Sequence, residues 1–127
     1  MKKQMIQTSA APAAIGPYSQ GVIAGEWVFL SGMIAIDPAT GDLVGATAAE
    51  QTEQICKNIA ALLESQGLQP ENVMKTTVFL TDLGEFAAVN AIYGELFDAE
   101  PPARSCVEVS RLPKDALVEI ECIAWRG

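Results

Sequence analysis

The sequence predicts an α+β fold: a single domain over residues 1–127 in which two helices cover one face of an antiparallel or mixed sheet. Segments with the period-two alternation of strands flank two segments with helical spacing, in the order strands, helix, strand, helix, strands. No internal repeat, low-complexity stretch or linker divides the chain. Two amphipathic helices cover one face of such a sheet, so we expect copies of the same chain to bury the other face.

Composition restricts the function classes. The chain carries 8 basic and 16 acidic residues, a net charge of −8, which disfavours nucleic acid and anionic membrane as main partners. It has no histidine, which removes the commonest general base and most zinc sites. Three widely spaced cysteines, no secretory signal and no apolar run of about 20 residues predict a soluble, cytoplasmic protein with reduced thiols.

The N-terminal part of the chain predicts strands around a loop. An edge strand over Met1–Thr8 is followed by the proline-punctuated loop SAAPAAIGPYSQ, which ends near Tyr18. Strands over Gln20–Ala24 and Trp27–Met33 then flank a Gly25-Glu26 turn. The pair Ser31-Gly32 predicts either a bulge or a place where a backbone or a ligand approaches closely.

The first helix is predicted over Ala48–Gln66. Thr47 and Glu50 form a T-x-x-E capping box at its start, and Gly67 supplies the stop. Its apolar face has the members Ile55, Ile59, Leu62 and Leu63. Cys56 beside that face is expected to be a partly buried filler.

A β-branched strand over Val73–Thr81 precedes the second helix, which runs from the Asp82 cap to about Phe97. The predicted buried stripe of this helix is Phe86, Val89, Tyr93, Leu96 and Phe97. Asn90 lies beside the stripe and needs a polar partner. We expect the backbone of a neighbouring loop to be that partner, ahead of a substrate.

The last segment, Pro101–Trp125, predicts a β-hairpin with strands Ala103–Val109 and Leu117–Trp125. One register of this hairpin puts Arg104 and Glu119 on the same face, beside Ile and Trp side chains. Such a face is typical of a cleft or an interface. The alternative is an ordinary exposed strand pair, in which Arg and Glu contribute a few tenths of a kcal/mol.

The residue strings resemble one known family. PPARSCVEVSRLPKDALVEIECIA at 101–124 closely resembles the C-terminal signature of the RidA/YjgF family of enamine/imine deaminases. The resemblance extends in the same order over nearly the whole chain through IGPYSQGV (15–22), FLSG (29–32), KTTVFLTDL (75–83) and FAAVNAIYGELF (86–97). It implies a chorismate-mutase-like α+β fold and a homotrimer with sheets inside, helices outside and clefts between adjacent subunits.

The resemblance also implies a reaction and a site. The substrate would be a 2-aminoacrylate-type enamine or its 2-imino acid tautomer, released by pyridoxal-phosphate enzymes and hydrolysed to a 2-keto acid and ammonia without metal or organic cofactor. Arg104 would bind the substrate carboxylate and Glu119 would activate water and relay protons. The remaining implied site residues are Tyr18, Ser31, Gly32 and Cys106, which line the site, and Asn90, which supports it. Lacking a histidine partner, Cys106 is expected to line the pocket instead of acting as a nucleophile.

Three other functions stay open on the sequence alone. A non-catalytic trimer could bind small carboxylates through Arg104 or regulate a partner. An RNA-cleaving or translation-inhibiting activity is disfavoured by the −8 charge and the missing histidine. A holdase-like chaperone would need exposed apolar surface.

Overall fold

A computed structural model describes residues 2–127 and contains six strands and two helices. The strands are β1 (Gln4–Ile6), β2 (Gly21–Ala24), β3 (Trp27–Met33), β4 (Val73–Leu80), β5 (Ala103–Glu108) and β6 (Val118–Trp125). The helices are α1 (Ala48–Ser65) and α2 (Phe86–Leu96), with short 3-10 turns at Pro70–Asn72, Leu83–Glu85 and Pro113–Asp115. The edge strand predicted over Met1–Thr8 is therefore β1, and Met1 lies outside the described residues.

The strands form one mixed sheet in the order β1-β2-β3-β6-β4-β5. All neighbours are antiparallel except β4 and β5, which are parallel. The predicted hairpin of the last two strands is therefore wrong, because β4 lies between β5 and β6. A parallel pair needs a crossover connection, and α2 supplies one between β4 and β5.

The inserted strand changes which face each side chain occupies. Arg104 pairs with Thr76, which pairs with Cys122, and the latter two are buried on the helix side of the sheet. Glu119 of β6 pairs with Phe79 of β4, which in turn pairs with Val107 of β5. The side chains of this row point to the opposite face of the sheet. Within one chain, then, Arg104 and Glu119 lie on opposite faces of the sheet, which corrects the prediction that they share one.

The core lies between the sheet and the two helices. The predicted capping box of Thr47 and Glu50 opens α1, and Gly67 adopts a φ of 71° just past its end. All four predicted apolar-face residues of α1 are buried, as are Val89, Tyr93 and Phe97 of the second stripe. Leu96 is partly buried against the core, and Phe86 is 39% exposed. Phe86 is the first residue of α2, and the guanidinium carbon of Arg104 lies 5.4 Å from the centroid of its ring.

The other face of the sheet carries no helix. It presents four large apolar side chains, Trp27, Phe29, Val107 and Trp125, each between 39% and 43% exposed. Trp27 and Trp125 pack edge to face with ring centroids 4.9 Å apart. Glu119 and Glu121 stand in the row of β6 on this same face. We call this surface, with these six residues, the open face.

Among residues 2–127, none of the helices combines the length and the apolar character that crossing a bilayer requires.

Candidate functional site

A cleft of about 300 Å³ opens beside the end of β3. Its walls are the loop before β2, the end of β3 with the residues that follow it, and the turn at Pro113 and Lys114. Three predicted site residues, Tyr18, Ser31 and Gly32, line it. The remaining lining is mainly apolar, a combination typical of small-molecule sites.

The end of β3 contains a bulge, which is one of the two alternatives predicted for the Ser31-Gly32 pair. The pairing register between β3 and β6 shifts between Leu30 and Met33, so the two residues between them leave the regular alternation. The second reading, close approach, holds as well. A methyl group at Gly32 would overlap the carboxylate of Glu119, whose Cδ would be only 2.9 Å from it. The absence of a side chain at position 32 thus makes room for the Glu119 carboxylate at the edge of the cleft.

Burial changes the proton affinity of Glu119. The side chain is half-buried, and this desolvation raises the pKa of its carboxyl above the ordinary value of 4.5, with the negative charge of Glu121 adding to the effect. A carboxyl shifted in this direction is better suited to taking up and returning a proton near neutral pH.

Ser31 and Tyr18 are held in different ways. The Ser31 hydroxyl donates a hydrogen bond of 2.6 Å to the carbonyl of Ser19, so it fastens the loop to β3. Tyr18 is 54% exposed, and its phenol oxygen accepts a long bond of 3.4 Å from the backbone N–H of Ile15. The ring therefore forms a solvent-facing wall of the cleft.

Arg104 lies at a second place, on the helix side of β5. Its Nη1 donates a 2.7 Å hydrogen bond to Oδ1 of Asn90. The guanidinium carbon lies 4.8 Å from the ring centroid of Tyr93 and 5.4 Å from that of Phe86, both on α2. The partner of Asn90 is therefore the Arg104 side chain, and the expected loop backbone is wrong.

The rest of this cluster is also ordered. The Tyr93 hydroxyl shares a buried 2.6 Å hydrogen bond with Oγ1 of Thr76. A concavity lined by Tyr93, Pro101, Pro102 and Arg104 opens beside it. With one N–H group bound to Asn90 and the plane fixed by two rings, Arg104 keeps other donors for a carboxylate.

Burial raises the pKa of all three cysteine thiols. Burial raises the pKa of Cys106, and the opposing effect of Arg104 is the smaller one. Burial raises the pKa of Cys56 and Cys122 to about 12. Cys56 is buried, somewhat more fully than the expected partly buried filler, and Cys106 lies on the same face of β5 as Arg104.

The predicted residues thus form two groups. Tyr18, Ser31 and Gly32 line the cleft and Glu119 lies against Gly32, whereas Asn90, Arg104 and Cys106 lie on the helix side of β5. Sequence reasoning missed Gln20, which is buried and lines the cleft. Its position between the loop IGPYS and an apolar strand could have indicated a buried polar side chain that needs partners. Within residues 2–127, groups of three or more His, Cys, Asp or Glu side chains arranged to hold a metal ion do not occur.

The chain is similar in sequence and in structure to known proteins over nearly its whole length. A family model described as endoribonuclease L-PSP matches residues 8–126. The chain is 54% identical over 126 residues to a RutC family protein of Synechocystis, covering 98% of this chain and 97% of that relative. It is 47% identical over 124 residues to the chloroplastic Reactive Intermediate Deaminase A of Arabidopsis thaliana, covering 98% of this chain and 66% of that one. A crystal structure of E. coli TdcF with bound serine superimposes with a TM-score of 0.93 at 46% identity, over 98% of this chain and 99% of the other.

Proposed function

Because this chain belongs to the RidA/YjgF family, whose model is described as endoribonuclease L-PSP, we propose that it hydrolyses 2-aminoacrylate-type enamines and their 2-imino acid tautomers. The products are a 2-keto acid and ammonia. A relative named Reactive Intermediate Deaminase A supports this reaction class. The family resemblance implies that the reaction needs neither metal nor organic cofactor. The proposed mechanism accordingly uses side chains and water.

The observation that carries the proposal is the position of the Glu119 carboxyl. It lies against Gly32 at the edge of a mainly apolar cleft, and burial raises its pKa. In the proposed reaction Glu119 takes a proton from water as the oxygen adds to the C=N carbon. It then returns that proton to the nitrogen, which gives a carbinolamine. In a second transfer Glu119 takes the hydroxyl proton and delivers it to the nitrogen, so the C=O bond of the keto acid forms as the C–N bond breaks and ammonia leaves. Uncatalysed imines already react with water, so positioning and proton relay supply enough acceleration.

The substrate carboxylate would be bound by Arg104 of a second copy. Arg104 and Glu119 of one chain lie on opposite faces of the sheet, so a site using both must combine two chains. The open face, with four exposed apolar side chains, is the surface that such copies would cover. We therefore propose a homotrimer with sites between subunits. The serine in the TdcF structure supports a small amino acid-like ligand for this fold.

Ribonuclease activity is the competing candidate, because the family model carries that description. The net charge of −8 opposes binding of a phosphate backbone. Among the described residues that line the cleft, Lys114 is the one cationic side chain, so the cleft lacks the row of basic residues that would follow an RNA backbone.

The test is coupled turnover. A pyridoxal-phosphate-dependent serine or threonine dehydratase generates the imine, and keto-acid formation is followed with and without the protein. We expect acceleration with the wild type and near-background rates with Glu119→Gln. A parallel incubation with single-stranded RNA should leave the RNA intact. RNA cleavage without imine hydrolysis would reverse the proposal, and a monodisperse monomer in light scattering would remove the two-chain site.

A further inference from the structure

The loop between β1 and β2, residues 7–20, has no helix or strand of its own. Connections of this length are uncommon inside one domain and are usually functional or disordered. This one forms a wall of the cleft through Pro12, Ala13, Ile15 and Tyr18. Whatever fixes the shape of the loop therefore decides where that wall stands.

The side chain of Gln20 joins the end of the loop to its beginning. It is only 7% exposed, and its oxygen accepts a 2.7 Å hydrogen bond from the backbone N–H of Thr8. Its amide nitrogen donates to the carbonyl oxygens of Thr8 at 2.9 Å, Ala11 at 3.2 Å and Pro12 at 2.7 Å. Every polar group of the carboxamide is thus bonded to loop backbone, which fixes the segment from Thr8 to Pro12, where the cleft wall begins.

The other polar contacts of the loop join different residues. Ser31 fastens only the end of the loop, through Ser19 and through a 3.0 Å bond from its N–H to the carbonyl of Gln20. Within the loop, the Tyr18 N–H bonds to the carbonyl of Gly16 at 2.9 Å, a contact between near neighbours. In the part of the chain that the structure describes, Gln20 is the polar side chain that connects Thr8, Ala11 and Pro12.

We infer that Gln20 is a positioning residue for the proposed hydrolysis. It holds the loop so that the Tyr18 wall stands ready to receive the substrate, while proton transfer remains with Glu119. This inference rests on the proposed function, and it adds a residue that acts on substrate binding through the backbone of the loop.

Substitution by methionine tests it, because methionine keeps the length of the side chain and removes its donors and its acceptor. If the ordered loop falls to about a tenth of the population, the apparent affinity falls about tenfold. We expect Gln20→Met to raise KM about tenfold and to change kcat less than about twofold. Hydrogen exchange of backbone amides 8–19 should accelerate in the same protein, without any substrate present.

Gln51→Met is the matched control. Gln51 is equally buried and also bridges backbone groups, the carbonyl of Gly45 and the N–H of Leu117, but it does not line the cleft. It should leave KM and loop exchange at wild-type values. Gln20→Glu provides a second variant in case Gln20→Met folds poorly. Its carboxylate faces the carbonyl oxygens of Thr8, Ala11 and Pro12, so its KM defect relative to wild type should shrink as pH falls and the carboxyl regains a proton.

The outcomes separate the two proposals. Faster loop exchange together with a raised KM in the Gln20 variants, and neither in Gln51→Met, supports the positioning role. Unchanged loop exchange, or faster exchange with unchanged KM, overturns it while an active wild type leaves the deaminase proposal standing. A wild type without turnover overturns the proposed function, and the kinetic role of Gln20 is then rejected with it.

Discussion

Replacement of Gly32 by alanine should lower the rate of imine hydrolysis on the order of 100-fold while leaving the fold intact. The added methyl carbon would lie 2.9 Å from Cδ and 3.2 Å from Cγ of Glu119, and nearer still to its Oε2. Carbon atoms pack at about 3.5–4.0 Å, so the carboxylate has to move by roughly 1 Å. A displacement of this size at a reacting group costs on the order of 100-fold in rate, or about 2.7 kcal/mol of activation free energy.

The same geometry predicts a small effect on stability. The group that must move is the end of a flexible, half-buried side chain, and the backbone of Gly32 does not adopt a left-handed φ. We expect the free energy of unfolding to change by less than about 1 kcal/mol.

The assay for Gly32→Ala is coupled imine turnover at several substrate concentrations, with thermal unfolding of the same samples. Gly94→Ala is the control, because a methyl group there meets nothing within 4 Å and lies inside α2. That change should stabilise the helix by about 0.5–1 kcal/mol, which checks that the unfolding measurement resolves a single added methyl group. If Gly32→Ala hydrolyses imine at the wild-type rate, Glu119 does not act from the position described, and the reasoning from its contact with Gly32 fails.

Four further outcomes are expected. Glu119→Gln should raise the melting temperature slightly at pH 7 and leave it unchanged below pH 4.5. A carboxyl whose pKa is raised in the folded state costs stability as pH rises from the ordinary value of 4.5 through the raised pKa. Equal gains at both pH values would contradict this. Glu121→Gln should lower the pKa of Glu119 and move the acidic limb of the pH–rate profile to lower pH. Arg104→Lys should weaken keto-acid binding roughly 30-fold or more in calorimetry, since an ammonium has no planar fork. Cys106→Ser should keep most of the turnover. Complete loss of turnover in a correctly folded variant would instead give the thiol a catalytic role.

Elements with strong local signals could be predicted from the sequence. The capping box at Thr47 and Glu50, the 3.6-residue spacing of the α1 face and the glycine stop are all set by residues close together in the chain. The bounds of α1 accordingly match within a residue. The same holds for β3 and its turn at Gly25, where alternation and a positive φ of 62° coincide.

Strand order could not be predicted in the same way, because it depends on pairings between distant segments. The two C-terminal strands are adjacent in sequence and each alternates, which is typical of a hairpin. The structure instead places β4 between them, antiparallel to β6 and parallel to β5, and α2 provides the crossover from β4 to β5. Asn90 was misjudged for the same reason. Its partner, Arg104, reaches it only because β5 lies parallel to β4 beneath α2.

The corrected strand order strengthens the link between assembly and chemistry. Had β5 and β6 formed a hairpin, one chain could have offered Arg104 and Glu119 to the same ligand, and a monomer would have sufficed. With β4 inserted, the cation faces α2 and the carboxylate stands on the open face among exposed apolar side chains. Covering that face with other copies would withdraw more water from Glu119 and move its pKa further in the direction that burial already gives it. In the proposed trimer a neighbour's Arg104 would bind the substrate carboxylate. Assembly of the proposed enzyme would therefore both complete the site and adjust its acid–base group.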